Sequence, residues 1–231
     1  MAPGTRLLFV GFNPGLRSVA VQAPFSLRSN RFWSTLYRAG ILDHVVDASE
    51  GLDAADRAHI FARGVGLTSL VRRATARADE LTPAELVAGA HDLESRVAAA
   101  PPRVVAILGI TAYRIAFGVR DAVPGEQPAS IADVPIWVVP NPSGLNAHAT
   151  PSALATAYRA AAVAAGIEVL PQPVCGRRLF GAGPVLATEQ LAQVVGQRRP
   201  DALQGIDLED RLTLGLRQGV DVGVDDGGRD G

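Results

Sequence analysis

The segment RLLFVGFNPG, residues 6–15, combines an apolar strand with the turn that ends it. Residues 6–12 form a short apolar run, which predicts a β-strand covered on both faces. Pro14 and Gly15 then end regular structure. Two further strands are predicted, one from the continuously apolar run at 103–108 and one at 136–139.

Predicted helices separate these strands, and several have clear boundary signals. Asn30 is a good N-cap for a helix whose apolar side chains recur at helical spacing. Thr82-Pro83-Ala84-Glu85 is a capping box with proline at the first helical position, and Gly166 is a stop signal. The alternation predicts an α/β fold with a parallel sheet covered by helices on both faces. The other predicted elements are helices over 53–63, 82–99, 111–117 and 150–165, and an edge strand over 167–170.

The length of 231 residues suits one domain with an extension. We predict a domain over 1–170 and a Pro- and Gly-rich extension over 171–231, whose acidic end we expect to be disordered. No run approaches the roughly 18 apolar residues of a membrane span, and the N-terminal segment lacks the features of a signal peptide. We therefore expect a cytoplasmic protein with no membrane partner, and we expect it to be a monomer.

Cysteine and histidine usage argues against a metal centre. Cys175 is the only cysteine, so the chain has no intramolecular disulfide and no cysteine-ligated cluster. The four histidines lack the HxxH or HExxH spacing that places two ligands on one helix face. We therefore predict no metal site and no cofactor.

The charges are unevenly distributed along the chain. All 22 basic residues are arginines, and the chain has no lysine. Residues 1–42 and residues 57–77 each hold five arginines and no acid. Such blocks indicate either solvated helix faces or a surface that meets phosphates, for which arginine is a bidentate donor.

Two unusual loops are predicted at the carboxyl ends of strands, where parallel sheets bind ligands. In GFNPG, residues 11–15, the glycines allow close backbone approach, and the Asn13 carboxamide suits holding a water molecule. The alternative is an ordinary turn with an Asx hydrogen bond. In NPSGLN, residues 141–146, Leu145 either wedges into a base stack or turns inward to cap the sheet.

These motifs together resemble one known family. GFNPGL at 11–16, Phe25, NRFW at 30–33 and NPSGL at 141–145 agree in order and spacing with the mismatch-specific uracil-DNA glycosylases, bacterial relatives of thymine-DNA glycosylase. The resemblance covers residues 5–165 and implies a glycosylase domain over 1–170. It also implies a three-layer αβα sandwich with a short, mainly parallel four-stranded sheet.

The resemblance assigns roles around the damaged base. Asn13 is expected to position the attacking water, and Phe25 to stack on the flipped base. Backbone groups of Phe12, Gly15 and Phe25 are expected to read the edge of the base. Asn141 stands where faster relatives carry a histidine that faces the base. Family members often have isoleucine at the position of Phe12, so this pocket differs in shape.

The resemblance also assigns contacts to duplex DNA. Leu145 is expected to fill the hole left by the flipped nucleotide, and the backbones of Gly144 and Asn146 to contact the widowed guanine. Arg17 and Ser143 complete the expected DNA-binding residues, and His148 is a further candidate. Arg31 is expected to pair within the fold, and Trp33 and Trp137 to be core residues.

The expected reaction is hydrolysis of the N-glycosidic bond of uracil, or of thymine or ethenocytosine, paired with guanine, in base excision repair. An amide cannot act as a general base, so we expect a slow enzyme. Glycosylases that also cut the backbone use an amine to form a Schiff base. Because the chain has no lysine, we expect a monofunctional enzyme that leaves an intact abasic site.

Two alternatives stay open at the level of the sequence. One is a module of the same fold that binds mismatches or nucleotides without excision. The other is an unrelated small-molecule hydrolase, which needs a nucleophile or a metal. The residue two before Ser143 is Asn141 and not glycine, so the motif of a serine nucleophile elbow is absent there.

Overall fold

The strands form one five-stranded sheet in the order β2-β1-β3-β5-β4 in the computed structural model, which describes residues 4–146 and 149–171. The first four strands of that order run parallel, and only β4 is antiparallel to its neighbour β5. The elements in chain order are β1 Leu7–Gly11, α1 Leu16–Ala20, α2 Phe32–Arg38, α3 Ala54–Ala62, β2 Val65–Ser69, a 3₁₀ turn Ala78–Glu80, α4 Pro83–Ala99, β3 Val104–Leu108, α5 Ile110–Phe117, β4 Gly125–Ile131, β5 Val134–Val139 and α6 Pro151–Ala164.

The two faces of the sheet are covered by different helices. Strand β1 is buried along its whole length, and its side chains alternate between two apolar cores. Leu7 and Phe9 pack with residues of α2 and α6, while Leu8 and Val10 pack with residues of α4 and α5. This arrangement confirms the predicted α/β fold with three layers, and the sheet has five strands instead of the predicted four.

The starts of α4 and α6 follow the predicted capping chemistry. The Thr82 hydroxyl accepts a hydrogen bond from the Glu85 N–H at 3.2 Å, and the Glu85 carboxylate accepts one from the Thr82 N–H at 2.8 Å. Thr150 caps α6 in the same way through the Ala153 N–H at 3.1 Å. Helix α2 differs from the prediction, because its N-cap is Arg31 and not Asn30. The Asn30 carboxamide still accepts from the Phe32 N–H at 2.9 Å and satisfies one of the free donors at the helix start.

One predicted strand is wrong, and two strands were not predicted. Residues 167–170 form no strand, because the Leu170 N–H donates to the Gly40 carbonyl at 2.8 Å and holds this segment against the loop after α2. The unpredicted strands, β2 and β4, are the two edges of the sheet. Edge strands are only partly buried, so they lack the continuous apolar run that marks a central strand.

Parts of the sequence predictions lie outside the described residues. These are His148, Cys175 and residues 172–231 of the predicted extension. The proposed division at residue 170 therefore stays a prediction. Among the described residues, no helix is both long and apolar enough to cross a membrane.

Candidate active site

The strand order creates a crevice between the carboxyl ends of β1 and β3. After β1 the chain crosses to β2 on one side, whereas after β3 it crosses to the edge strand β4 and returns through β5 on the other side. Connections that leave neighbouring parallel strands in opposite directions open a crevice, and ligands bind there in open α/β sheets. The loop with Asn13 follows β1 directly, so it lies at this crevice.

Gly109 brings the two predicted loops together at this crevice. It follows β3 and has φ of +109°, in the region that favours glycine. A Cβ atom on Gly109 would lie 3.4 Å from the Asn141 Cβ and 3.4 Å from the Phe12 ring. Residues from the first and the second loop thus face each other across a position without a side chain.

The Asn13 carboxamide is anchored through its nitrogen. Nδ2 donates to the Arg73 carbonyl at 2.9 Å and to the Thr75 hydroxyl oxygen at 2.8 Å, and more weakly to the Pro14 carbonyl at 3.3 Å. A carbonyl can only accept, so these bonds fix which end of the amide carries the nitrogen. No donor among the described residues bonds to the Asn13 Oδ1, so this oxygen can accept a hydrogen bond from water.

The segment that anchors Asn13 is itself tied to the start of α4. The Arg73 guanidinium donates to both carboxylate oxygens of Glu85, at 2.7 and 3.1 Å, and to the Glu80 carbonyl at 3.0 Å. The Arg73 guanidinium, together with hydrogen bonds from Thr82, lowers the pKa of Glu85 to about 2. Glu85 is therefore charged at neutral pH. Its carboxylate both caps the start of α4 and holds Arg73, whose carbonyl anchors Asn13.

Phe25 lies beside the end of β1 in an unusual backbone conformation. Its φ is +56°, which is uncommon for a residue other than glycine, and such outliers cluster at ligand sites. Its ring stacks on Phe32, with centroids 4.0 Å apart and planes 21° apart. A Cβ on Gly11 would lie 3.5 Å from the tip of this ring. Packing against Phe32 and Gly11 thus fixes the position of the Phe25 ring.

Hydrogen bonds within the loop over 140–146 set its shape. The Asn141 Oδ1 accepts from the Ser143 N–H at 3.0 Å, and the Asn146 Nδ2 donates to the Asn141 carbonyl at 3.0 Å. The Ser143 hydroxyl accepts from the Leu145 N–H at 3.3 Å. The Asn141 Oδ1 is therefore used within the turn, so its Nδ2 is the end of the amide that can serve a ligand as a donor.

Arg31 and Tyr158 anchor this loop to the rest of the domain through hydrogen bonds to its backbone. Arg31 Nη2 donates to the carbonyls of Ser143 and Asn146, both at 2.9 Å, and Nη1 donates to the Ala149 carbonyl at 2.6 Å. The Tyr158 hydroxyl donates to the Pro140 carbonyl at 3.2 Å, and burial raises the pKa of this hydroxyl. Arg31 thus pairs within the fold, as predicted, and its guanidinium makes the loop rigid.

The tip of the loop projects away from the core. Leu145 is 95% exposed, so the alternative that it turns inward to cap the sheet is wrong. Gly144 permits this geometry, because a Cβ there would lie 2.6 Å from the Ser29 carbonyl. Among the described residues, Leu145 is the most exposed of the large apolar side chains.

The other residues that the sequence singled out have backbone or side-chain groups already engaged within the fold, or lie beside open space. The space beside Gly15 is open, since an added Cβ would meet no atom within 4 Å. The Phe12 carbonyl already accepts from the Val71 N–H at 2.9 Å. Arg17 donates to the Ser49 carbonyl at 2.6 Å and to the Glu50 carboxylate at 2.8 Å, so its guanidinium is engaged within the fold. Trp33 is buried in the core, and Trp137 packs at the margin of that core.

One group of side chains in the described part of the chain has the composition of a metal site. Asp43, His44 and His59 have ligand atoms within 4.8 Å of one another. Both ring nitrogens of His44 are already bonded, to Asp43 at 2.6 Å and to Asp56 at 2.8 Å, and these bonds raise the pKa of His44. A hydrogen-bonded network of surface side chains accounts for this group.

Sequence reasoning missed Arg73 and Thr75, which are 60 and 62 residues from Asn13 in the chain. Neither carries a local signal, because their contacts depend on how the segment after β2 folds back onto the loop after β1. Gly109 had a weak signal, as a glycine directly after a continuously apolar strand.

Comparison with protein families gives a match over most of the described fold. The model of the uracil DNA glycosylase superfamily matches residues 1–163, which include every predicted site residue.

Proposed function

The chain belongs to the uracil DNA glycosylase superfamily, and from this premise we propose that it removes uracil paired with guanine from duplex DNA. Membership indicates a hydrolase that acts on N-glycosyl bonds in DNA. The preference for a guanine-paired base, the duplex substrate and the monofunctional reaction are our proposals. They rest on the site and on the sequence.

The observation that carries the proposal is the orientation of the Asn13 carboxamide. Its nitrogen is held by Arg73 and Thr75, which leaves Oδ1 to accept a hydrogen bond from a water molecule. A water held at one position and in one orientation attacks faster than a free water, because the entropic cost of bringing it into place has already been met. Asn13 cannot take a proton from this water, so the enzyme is expected to be slow.

The base reaches this water by leaving the duplex. Extrusion costs a few kcal/mol, and it costs least for a mispair, which favours uracil opposite guanine over uracil opposite adenine. Phe25, with one face packed on Phe32, supplies a fixed ring for the extruded base to stack on. Leu145, exposed at the tip of a braced loop, enters the stack in place of the base.

The leaving uracil takes the negative charge that develops as the bond breaks. Donors already aimed at that charge stabilise it without rearranging. The Asn141 Nδ2 is such a donor, because its partner oxygen is fixed by the Ser143 N–H. It lies across Gly109 from Phe12, so it is placed against a base that enters the crevice.

The test uses labelled duplexes that carry U·G, T·G or U·A, incubated with the protein in EDTA. Alkali is added to half of each sample, and strand cleavage is measured. We expect cleavage at U·G that requires alkali and exceeds cleavage at U·A. The control is Asn13→Ala, which removes the carboxamide and is expected to abolish most of this cleavage.

Other outcomes would revise the proposal in distinct ways. Strand cleavage without alkali would show a lyase step and contradict monofunctional chemistry. Retarded migration of the U·G duplex with no cleavage would favour a mismatch-binding module. Equal cleavage at U·G and U·A would leave the glycosylase activity and remove the proposed mismatch preference.

A further inference from the structure

Thr75 is one of the few polar side chains that are fully buried among the described residues, with 3% of its surface exposed. Its hydroxyl donates its single proton to the Arg77 carbonyl at 2.6 Å. The hydroxyl oxygen can therefore only accept in its second bond, which comes from the Asn13 Nδ2 at 2.8 Å. The direction of the hydroxyl is thus fixed by Arg77, and it faces Asn13 as an acceptor.

The backbone of Thr75 is registered against the loop that carries Asn13. The Thr75 N–H donates to the Pro14 carbonyl at 3.2 Å, and Thr75 pairs with Gly15 as an isolated parallel bridge. The hydroxyl is therefore held at a constant distance from the Asn13 backbone. A movement of one segment relative to the other would break all these bonds together.

Two acceptors are needed to fix the Asn13 amide. Without the Thr75 hydroxyl, Nδ2 keeps the bond to the Arg73 carbonyl and the longer bond to the Pro14 carbonyl, which together restrain rotation of the carboxamide less tightly. The second bond, to Thr75, defines the plane of the amide and so the direction in which Oδ1 points. A wrong direction displaces the water, and displacements of about 1 Å can lower a rate about a hundredfold.

We propose that Thr75 is a positioning residue that sets the orientation of the Asn13 carboxamide, and with it the position of the attacking water. This role rests on the proposed function. Beyond that function, the reaction rate then depends in part on a buried hydroxyl that lies 62 residues from Asn13 in the chain. Thr75 acts through Asn13, because its hydroxyl bonds to the Asn13 Nδ2 and to the Arg77 carbonyl.

The test compares Thr75→Val, which keeps the shape and removes the hydroxyl, with Thr75→Ser, which keeps the hydroxyl. Single-turnover rates on the U·G duplex at saturating enzyme report the chemical step. Thr75→Val should lower this rate about tenfold, the effect of losing one hydrogen bond to a partly buried amide, and Thr75→Ser should recover it to within about twofold. Binding to a duplex with 2′-fluorodeoxyuridine opposite guanine, which resists cleavage, should not change.

A second arm separates positioning from general loosening of the fold. In the Asn13→Ala background, Thr75→Val should cause no further loss of rate, because the group it positions is gone. Thr35→Val, at another buried threonine, 1% exposed, controls for the loss of a buried hydroxyl away from the site. The NMR signals of the Asn13 side-chain amide, identified by their absence in Asn13→Ala, should show faster hydrogen exchange in Thr75→Val only.

Each outcome decides between stated alternatives. An unchanged rate in Thr75→Val, or the same loss with and without Asn13, would overturn the positioning role. Wild-type protein that releases no uracil would instead overturn the proposed function. The exchange of the Asn13 amide would then still report whether Thr75 anchors the carboxamide.

Discussion

Replacing Leu145 with alanine should separate DNA distortion from protein stability. The leucine side chain is 95% exposed, so it contributes almost nothing to the core. The loop around it is held by backbone groups and by Arg31, which do not involve the leucine side chain. We therefore expect Leu145→Ala to change the free energy of unfolding by less than about 0.5 kcal/mol.

The magnitude of the effect on catalysis follows from the same exposure. If the side chain enters the base stack, nearly all of its apolar surface passes from water into a packed environment. Burying a leucine in this way stabilises by about 1.5–3 kcal/mol, and alanine keeps only part of that. A loss of about 2 kcal/mol corresponds to roughly a thirtyfold fall in kcat/KM for the U·G duplex.

The assay measures kcat/KM for uracil release from a U·G duplex and from a single strand of the same sequence. A single strand has no stacked hole to fill, so any activity on it should be equal for wild type and Leu145→Ala. Val163→Ala is the matched control, since Val163 lies on α6 and is 55% exposed. It should change neither activity.

Two results would refute this reasoning. Wild-type activity of Leu145→Ala on the duplex would show that the leucine does not enter the stack. A clear fall in melting temperature would show instead that the leucine packs within the protein.

The remaining predictions concern the crevice and the anchoring of the site. Gly109→Ala should destabilise the fold by about 1–3 kcal/mol, because φ of +109° is strained for alanine. It should also slow base release, because the new Cβ occupies the space between Phe12 and Asn141. Thermal melting and U·G cleavage measure the two effects, and a variant that is as stable and as active as wild type would contradict both. Glu85→Gln keeps a capping side chain but removes the charge that faces Arg73, so it should lower the melting temperature at pH 7. The pKa of Glu85 is about 2 in the folded protein and ordinarily near 4.5, so the charged carboxylate stabilises the fold above pH 4.5. The difference in melting temperature between Glu85→Gln and wild type should therefore disappear as the pH falls from 4.5 towards 2. A difference that stays constant over this range would show that the charge is not the cause.

Much of the fold is readable from local patterns in the sequence. The central strands β1, β3 and β5 are apolar enough to be recognised alone, because β1 and β3 are buried throughout and β5 is buried over most of its length. The helix starts at Thr82 and Thr150 follow from short-range capping chemistry, which depends on residues three positions apart.

The missed and misplaced elements depend on the environment of the sheet edges. Strand β4 is mostly exposed and contains Pro128, which edge strands tolerate but which weakens any sequence signal for a strand. Residues 167–170 are apolar in the manner of a strand, yet their backbone bonds to the loop at Gly40 and not to the sheet. Which partner such a segment takes is decided by packing and not by its own composition.

The sequence by itself determined which chemical groups are available: the Asn13 carboxamide, the aromatic ring of Phe25, the leucine at 145 and the absence of lysine. Only the tertiary structure decided how these groups are oriented. It placed Gly109 between the two loops, and it turned the nitrogen of Asn13 towards Arg73 and Thr75. The physical reason is that a side chain's identity is local, whereas its orientation is set by hydrogen-bond partners from distant segments that meet only when the sheet has formed.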